Sequence, residues 1–149
     1  MKQGPERELV ARYLDRAIAG GKPLGLTGFA VSELIESRAG SAPARKTEEA
    51  KAIAAQAAEG VLVALDERGK TLGSEDFAKR LVRWRDDGKP AVSFVIGGAD
   101  GIDPALVTRA DLTLSFSPLT WPHQLVRIML AEQLYRATTI LSGHPYHRG

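Results

Sequence analysis

At 149 residues, with 44% hydrophobic and 26% charged side chains, the chain has the composition of one soluble globular domain with a single core. Its formal charge of +2 is too small to identify a nucleic-acid binder, so such a claim must rest on local patches. The absence of cysteine excludes disulfides, thiolate metal sites and a cysteine nucleophile and fits a cytoplasmic protein; apolar runs such as Val61 to Leu65, about five residues, are too short for a membrane span, and no signal segment opens the chain.

Pro5 to Ala19 sets Leu9, Val10, Tyr13, Leu14 and Ile18 on helical spacing and ends at Gly20-Gly21. Leu24 to Ile35 leans towards β structure, with a strand expected near Gly28 to Ile35. Ser37 to Arg45 is small and polar, a loop. Thr47 to Glu59 is alanine-rich and helical, closed by Gly60. Val61 to Asp66 is a short continuous apolar strand, the pattern of burial on both faces of a sheet. Arg68-Gly69-Lys70 is expected to turn the chain. Ser74 can cap a helix that carries Glu75 and Asp76 in its first turn and runs to Asp87, where Gly88 stops it. Ala91 to Ile96 is a second buried strand, Asp103-Pro104 start a short helix, and Asp111 to Ser115 is a third strand. Pro122 to about Leu141 is the longest helix. The alternation predicts an α/β domain over residues 1–149, with a mainly parallel sheet and helices on both faces. Such folds usually open on a strand, whereas Met1-Lys2-Gln3-Gly4-Pro5 leads straight into a helix, so a first strand is expected to be missing.

The chemistry concentrates in two turns and a tail. Gly97-Gly98-Ala99-Asp100-Gly101 follows a strand, where α/β folds bind ligands, and its glycines let a ligand approach the backbone. Ile96 stands where a dinucleotide fingerprint needs glycine, and no phosphate-loop Gly-Lys-Ser/Thr is present, so a plain tight turn fits as well. In Phe116 to His123, Pro118 and Pro122 fix φ and remove donors, leaving backbone groups between them that can read an adenine edge. The plainer reading is a helix-entry loop with Trp121 docked in the core. His123 falls in the first turn of the long helix, where the dipole favours a neutral, proton-accepting imidazole; a capping or surface histidine is the alternative.

The tail His144-Pro145-Tyr146-His147-Arg148 offers rings that stack on bases and a guanidinium that binds phosphate, although chain ends often fray. The three histidines form no HExxH pattern and no carboxylate completes a zinc set, so no metal is expected. Lys79, Arg80, Arg83 and Arg85 interleave with Leu81, Val82 and Trp84, which reads as a solvated helix face before it reads as an RNA contact. The long helix is apolar on nearly all sides around Arg127 and Arg136. In so small a domain that predicts a partner chain, a homodimer.

Together these residues resemble the ribosomal large subunit pseudouridine methyltransferase H family, within the SPOUT class of trefoil-knotted methyltransferases. The family's IGG-x-x-G turn stands as Ile96 to Gly101 and its LS-x-S/A-x-T-x-PH segment as Leu114 to His123. Its R-x-x-x-x-EQ/S-x-YRA helix stands as Arg127 to Ala137, and its closing H/A-x-YH-R/K as His144 to Arg148. The resemblance covers essentially the whole chain. It departs at the N-terminus, where the family's first strand, ending just before the equivalent of Lys2, is absent.

The resemblance implies a C-terminal trefoil knot over about residues 92–141, a rare exception to the rule against threaded chains. It implies S-adenosylmethionine as cofactor, with Leu65, Gly97 and the run Phe116, Ser117, Pro118, Leu119, Thr120 and Trp121 lining the pocket, mostly through backbone groups. It implies a homodimer, and methylation at N3 of a pseudouridine in 23S rRNA of the assembled ribosome. Methyl transfer to nitrogen is an in-line displacement, so catalysis is mainly positioning. The N3 proton must leave. The expected machinery is Tyr146, His147 and Arg148 with His123: one imidazole takes the proton and Arg148 stabilises the developing charge, the choice of histidine staying open. Arg127, Arg136 and His144 are expected on the substrate side. Two other readings fit the same motifs: a knotted methyltransferase acting on tRNA or another rRNA base, and a non-catalytic α/β nucleotide-binding or ribosome-associated module.

Overall fold

The structure, a computed structural model, describes residues 4–29, 31, 37–57, 59–97 and 101–148. The chain divides into two compact units. One gathers Met1–Val31, Gly73–Gly88 and Gln124–Gly149; the other gathers Ser32–Leu72 and Lys89–His123.

The second unit holds the sheet. Strands β1 (Val61–Thr71), β2 (Val92–Ile96) and β3 (Leu112–Ser115) pair in the order β2-β1-β3, all parallel. Val63 and Ala64 point to opposite faces of the central strand and both are fully buried, so both faces are covered, as a continuous apolar run requires. Helices α1 (Pro5–Gly21) and α2 (Ala42–Gln56) precede the sheet in the chain, and α3 (Ser74–Asp86), α4 (Pro104–Arg109) and α5 (His123–Ser142) follow β1. Ala64, Val95, Ile102 and Leu106 form one core cluster, against which Ala50 and Ile53 of α2 and Val107 of α4 pack. The register sets Leu65 opposite both Ile96, the last residue of β2, and Leu114, next to the end of β3, so two of the three strands end beside Leu65 while β1 continues. In parallel sheets such strand ends are where ligands bind.

Three expectations are corrected here. Arg68-Gly69-Lys70 does not reverse the chain. β1 runs on to Thr71 and resumes pairing with β3 after a bulge, with Lys70 opposite Leu114 and Thr71 opposite Ser115. The turn signal is a real local irregularity: Asp66 accepts from the Arg68 backbone N–H at 2.9 Å and from its Nε at 3.2 Å. Gly69 lies so close to β3 that a Cβ there would sit 2.6 Å from the Thr113 carbonyl oxygen. Second, α2 starts at Ala42 rather than Thr47 and ends at Gln56. Ser41 Oγ accepts from the Ala44 N–H at 3.3 Å and Pro43 stands in the first turn, a start signal inside the stretch taken as loop. Third, Ser74 does not cap α3. Gly73 is the cap residue, and the Ser74 hydroxyl donates to Gln133 Oε1 at 2.9 Å.

The first unit is helical. α1 buries Val10 and Ala17 and includes Gly20 and Gly21. A Cβ on Gly20 would lie 2.6 Å from Thr138 Oγ1, so glycine there lets α1 approach α5 closely. α3 buries Phe77, Ala78, Leu81 and Trp84 on one stripe, with its basic residues outside it. α5 buries Leu130, Ala131, Leu134, Ala137, Thr138 and Thr139, but Leu125 in its first turns stays 41% exposed. The strand expected near Gly28 to Ile35 falls mostly outside the described residues; Gly28, Phe29 and Val31 are irregular. Gly98, Ala99 and Asp100 also lie outside them. Among the described residues no helix is long and apolar enough to cross a membrane.

Candidate active site

The singled-out residues fall into two groups, one in each unit. In the sheet unit, β3 ends at Ser115, which is buried, and the chain enters the two-proline loop. Ser115 Oγ lies 2.8 Å from the Ser117 carbonyl oxygen and 3.1 Å from that of Glu67. Ser117 Oγ accepts from the Leu119 N–H at 2.9 Å and from the Trp121 indole Nε1 at 3.3 Å. The Thr120 hydroxyl donates to Glu67 Oε2. Hydroxyl side chains thus supply the bonds that two prolines deny the backbone. Leu119 is left 66% exposed and Trp121 39% exposed, so the indole is held out by Ser117 rather than docked in a core.

Leu65 is buried in the central strand β1, opposite Ile96 of β2 and Leu114 of β3. Gly97 follows β2, and a Cβ there would lie 2.6 Å from the Gly101 carbonyl carbon and 2.8 Å from Ile102 Cγ1. The close approach of Gly101 and Ile102 demands glycine at that point. His123 opens α5, half-buried. The run Phe116 to Trp121 contains no cation, so nothing in it repels a positively charged ligand, and its exposed indole and leucine suit an aromatic heterocycle.

In the helical unit the tail is docked rather than frayed. Gly143, at φ 75, ends α5, and the His144 N–H donates to the Thr139 carbonyl at 2.9 Å. His144 Nδ1 then accepts from the Tyr146 N–H at 3.1 Å. The reversal brings the Tyr146 ring to 4.6 Å from that of Tyr135, centroid to centroid, with the Arg136 guanidinium carbon 4.9 Å from the Tyr146 centroid. On the far side, Tyr13 lies 6.4 Å from Tyr135, and the Arg16 guanidinium carbon stands 5.8 Å from the Tyr135 ring.

Glu132 is the hub of this group. Its Oε2 accepts from Tyr146 Oη at 2.8 Å and from Arg136 Nη2 at 2.8 Å, and its Oε1 accepts from Arg136 Nε at 3.2 Å. Arg136 Nη1 lies 3.0 Å from His147 Nδ1. A guanidinium only donates, so that nitrogen is the acceptor and His147 carries its proton on Nε2, which lies 3.7 Å from Glu75 Oε1. Burial, then the bond to Glu132, pushes the Tyr146 phenol up to about 12, so it stays protonated at neutral pH. The Glu132 bond raises the Arg136 guanidinium, while burial lowers that of Arg127, half-buried earlier on α5.

The structure therefore gathers Tyr146, His147 and Arg136 around one carboxylate, with His144 shaping the turn. Arg148 and His144 are exposed beside it. The sequence reading missed Glu132, Tyr135 and Tyr13. The signal for Glu132 was its i,i+4 spacing to Arg136; nothing local announces its bond to Tyr146. No group of three or more His, Asp or Glu able to hold a metal occurs among the described residues.

Residues 1–147 match the family model described as a predicted SPOUT methyltransferase. The ribosomal RNA large subunit methyltransferase H of Brucella anthropi is 61% identical to the chain over 149 residues, covering 99% of it and 93% of the relative. The proteins of that name from Rhodopseudomonas palustris (strain TIE-1) and Rhizobium etli are 60% and 59% identical over the same shares.

Proposed function

The chain belongs to the SPOUT methyltransferase family and is a ribosomal RNA methyltransferase, and on that premise we propose that it uses S-adenosylmethionine to methylate N3 of a pseudouridine in 23S rRNA of the assembled ribosome. The observation that carries this reading is the near end-to-end likeness to proteins named for large-subunit rRNA methylation. The docked Tyr146–His147 tail and the exposed Trp121 loop support it.

Leu65, Gly97 and Phe116 to Trp121 would hold the donor, beside the carboxyl ends of β2 and β3. When bound, the donor supplies an electrophilic methyl on a positively charged sulfur. In-line displacement by nitrogen asks of the protein alignment and relief of the N3 proton. Arg148 would stabilise negative charge on the ring oxygens, and Arg127, Arg136 and His144 would contact the RNA. His147 has its Nδ1 engaged by Arg136, so in this arrangement it offers the substrate an N–H, and His123 would be the imidazole that accepts the proton. The same reading holds that residues 1–149 act as one domain, knotted over about residues 92–141, in a cytoplasmic homodimer.

The test is methylation of ribosomes from a strain lacking the activity, followed by mass spectrometry of the digested nucleosides. The expected product is 3-methylpseudouridine. A different methylated base, or label in tRNA, would favour the related-enzyme reading. No calorimetric binding of S-adenosylmethionine at millimolar concentration would favour the non-catalytic module.

A further inference from the structure

We propose that Glu67 is a positioning residue for the methyl donor: its carboxylate holds Thr120, and with it the two-proline loop, in the shape that takes the donor. The inference rests on the function proposed above and deepens it. Every residue it uses lies in the sheet unit.

The bulge in β1 sets the geometry. Leu65 and Lys70 both stand opposite Leu114 of β3, so the residues between them loop out of the ladder. Asp66 closes that bulge on itself. Its carboxylate takes the Arg68 backbone N–H at 2.9 Å, Nε at 3.2 Å and Nη2 at 3.3 Å. The Arg68 guanidinium is thus engaged by Asp66, and Glu67 reaches the loop after β3 instead.

Glu67 meets that loop at both ends. Its carbonyl oxygen lies 3.1 Å from Ser115 Oγ, where β3 stops, and that hydroxyl is 2.8 Å from the Ser117 carbonyl oxygen. Its Oε2 accepts from the Thr120 hydroxyl. The Ser117 bonds to Leu119 and Trp121 are internal to the loop, whereas Glu67 ties the far end to the sheet. Prolines deny the loop backbone donors, so such side-chain bonds decide its shape. A carboxylate acceptor makes the Thr120 bond stronger than a neutral pair, although both residues are exposed and water competes for it. Holding Thr120 beforehand spares the donor the cost of ordering the loop. A residue that need not touch the ligand can raise its affinity in this way.

The experiment is calorimetry of the full chain with S-adenosylmethionine and with its demethylated thioether, S-adenosylhomocysteine. The proteins are the wild type, Glu67→Ala, Glu67→Gln, Thr120→Val and the double variant of Glu67→Ala with Thr120→Val. Glu67→Ala should weaken both ligands about tenfold. Glu67→Gln keeps an acceptor on a side chain of the same length and should stay within about threefold of the wild type. Thr120→Val should weaken both ligands, and adding Glu67→Ala to it should cost nothing further. In turnover on ribosomes the Glu67→Ala loss should appear in the KM for the donor. The kcat at saturating donor and the KM for ribosomes should stay within about twofold of the wild type. A merely structural role would lower the melting temperature, which should hold within about 3 °C.

A Glu67→Ala protein that binds the donor as the wild type does overturns the proposal. So does a Glu67→Gln protein as impaired as Glu67→Ala, which would make charge the cause in place of the bond to Thr120. An additive loss in the double variant overturns it as well, since the two residues would then act separately. A wild type that binds neither ligand defeats the donor reading, and this inference with it, before any variant is compared.

Discussion

Ser117 illustrates how single side chains hold this protein's candidate chemistry. Its hydroxyl oxygen takes both the Leu119 N–H and the Trp121 indole N–H, and each such bond is worth about 1 kcal/mol. Ser117→Ala should release the indole, weaken methyl-donor binding about tenfold and shift Trp121 fluorescence, with little change in melting temperature. Calorimetry and emission spectra check it, and unchanged affinity would remove Ser117 from the pocket. A second residue gives a pH dependence. The Arg68 side chain beside Asp66 holds that carboxyl below its ordinary range, against the opposing effect of burial. A depressed folded-state pKa stabilises above the unfolded value, near about 4, and that stabilisation is lost as pH falls through the folded value. The melting-temperature gap between the wild type and Asp66→Asn should be open at pH 7 and closed near pH 3; a gap constant with pH would refute it. At this scale the motif residues were legible because their types are unusual. Glu132 was not, because its partner Tyr146 returns from 14 residues away only once Gly143 reverses the chain.

Among the elements, β1 taught the most. Its first half read correctly as a doubly buried strand, since burial on both faces leaves a continuous apolar run. Its second half read as a turn, because glycine between two charged residues signals both a reversal and a bulge. Only pairing with β3 selects the bulge. Gly69→Ala should therefore be costly. The added methyl would meet the Thr113 carbonyl group and the Leu114 nitrogen, all backbone, with no flexible side chain to yield. A loss of about 1–3 kcal/mol in denaturant unfolding is expected, and a neutral effect would show that the strands are less closely applied. The early start of α2 shows the converse. Ser41 and Pro43 form a legible start signal that the small, polar character of the neighbouring residues masked.

For the whole molecule, the open first turns of α5 bear on assembly. Leu125 is 41% exposed on a helix rich in apolar residues. Sedimentation should give twice the 16.0 kDa chain mass at micromolar concentration; a monomer there would overturn the dimer. With a formal charge of +2, such a small protein cannot gather much RNA by electrostatics alone. Methylation of a free rRNA stem-loop should be far slower than of assembled ribosomes, and equal rates would show that the ribosome does not shape the substrate.

The order of the described strands and helices from β1 to α5, the buried character of the strands and the family motifs follow from the sequence by itself. Periodicity, caps and rare residue combinations are local, and local physics writes them directly into the chain. Which side chains share a proton is a different kind of fact. The bulge in β1, the indole held by Ser117 and the carboxylate shared by Arg136 and Tyr146 depend on groups far apart in the chain meeting at about 3 Å. Only the tertiary structure decides such meetings, because loop reversals and strand pairing choose the partners of each hydrogen bond.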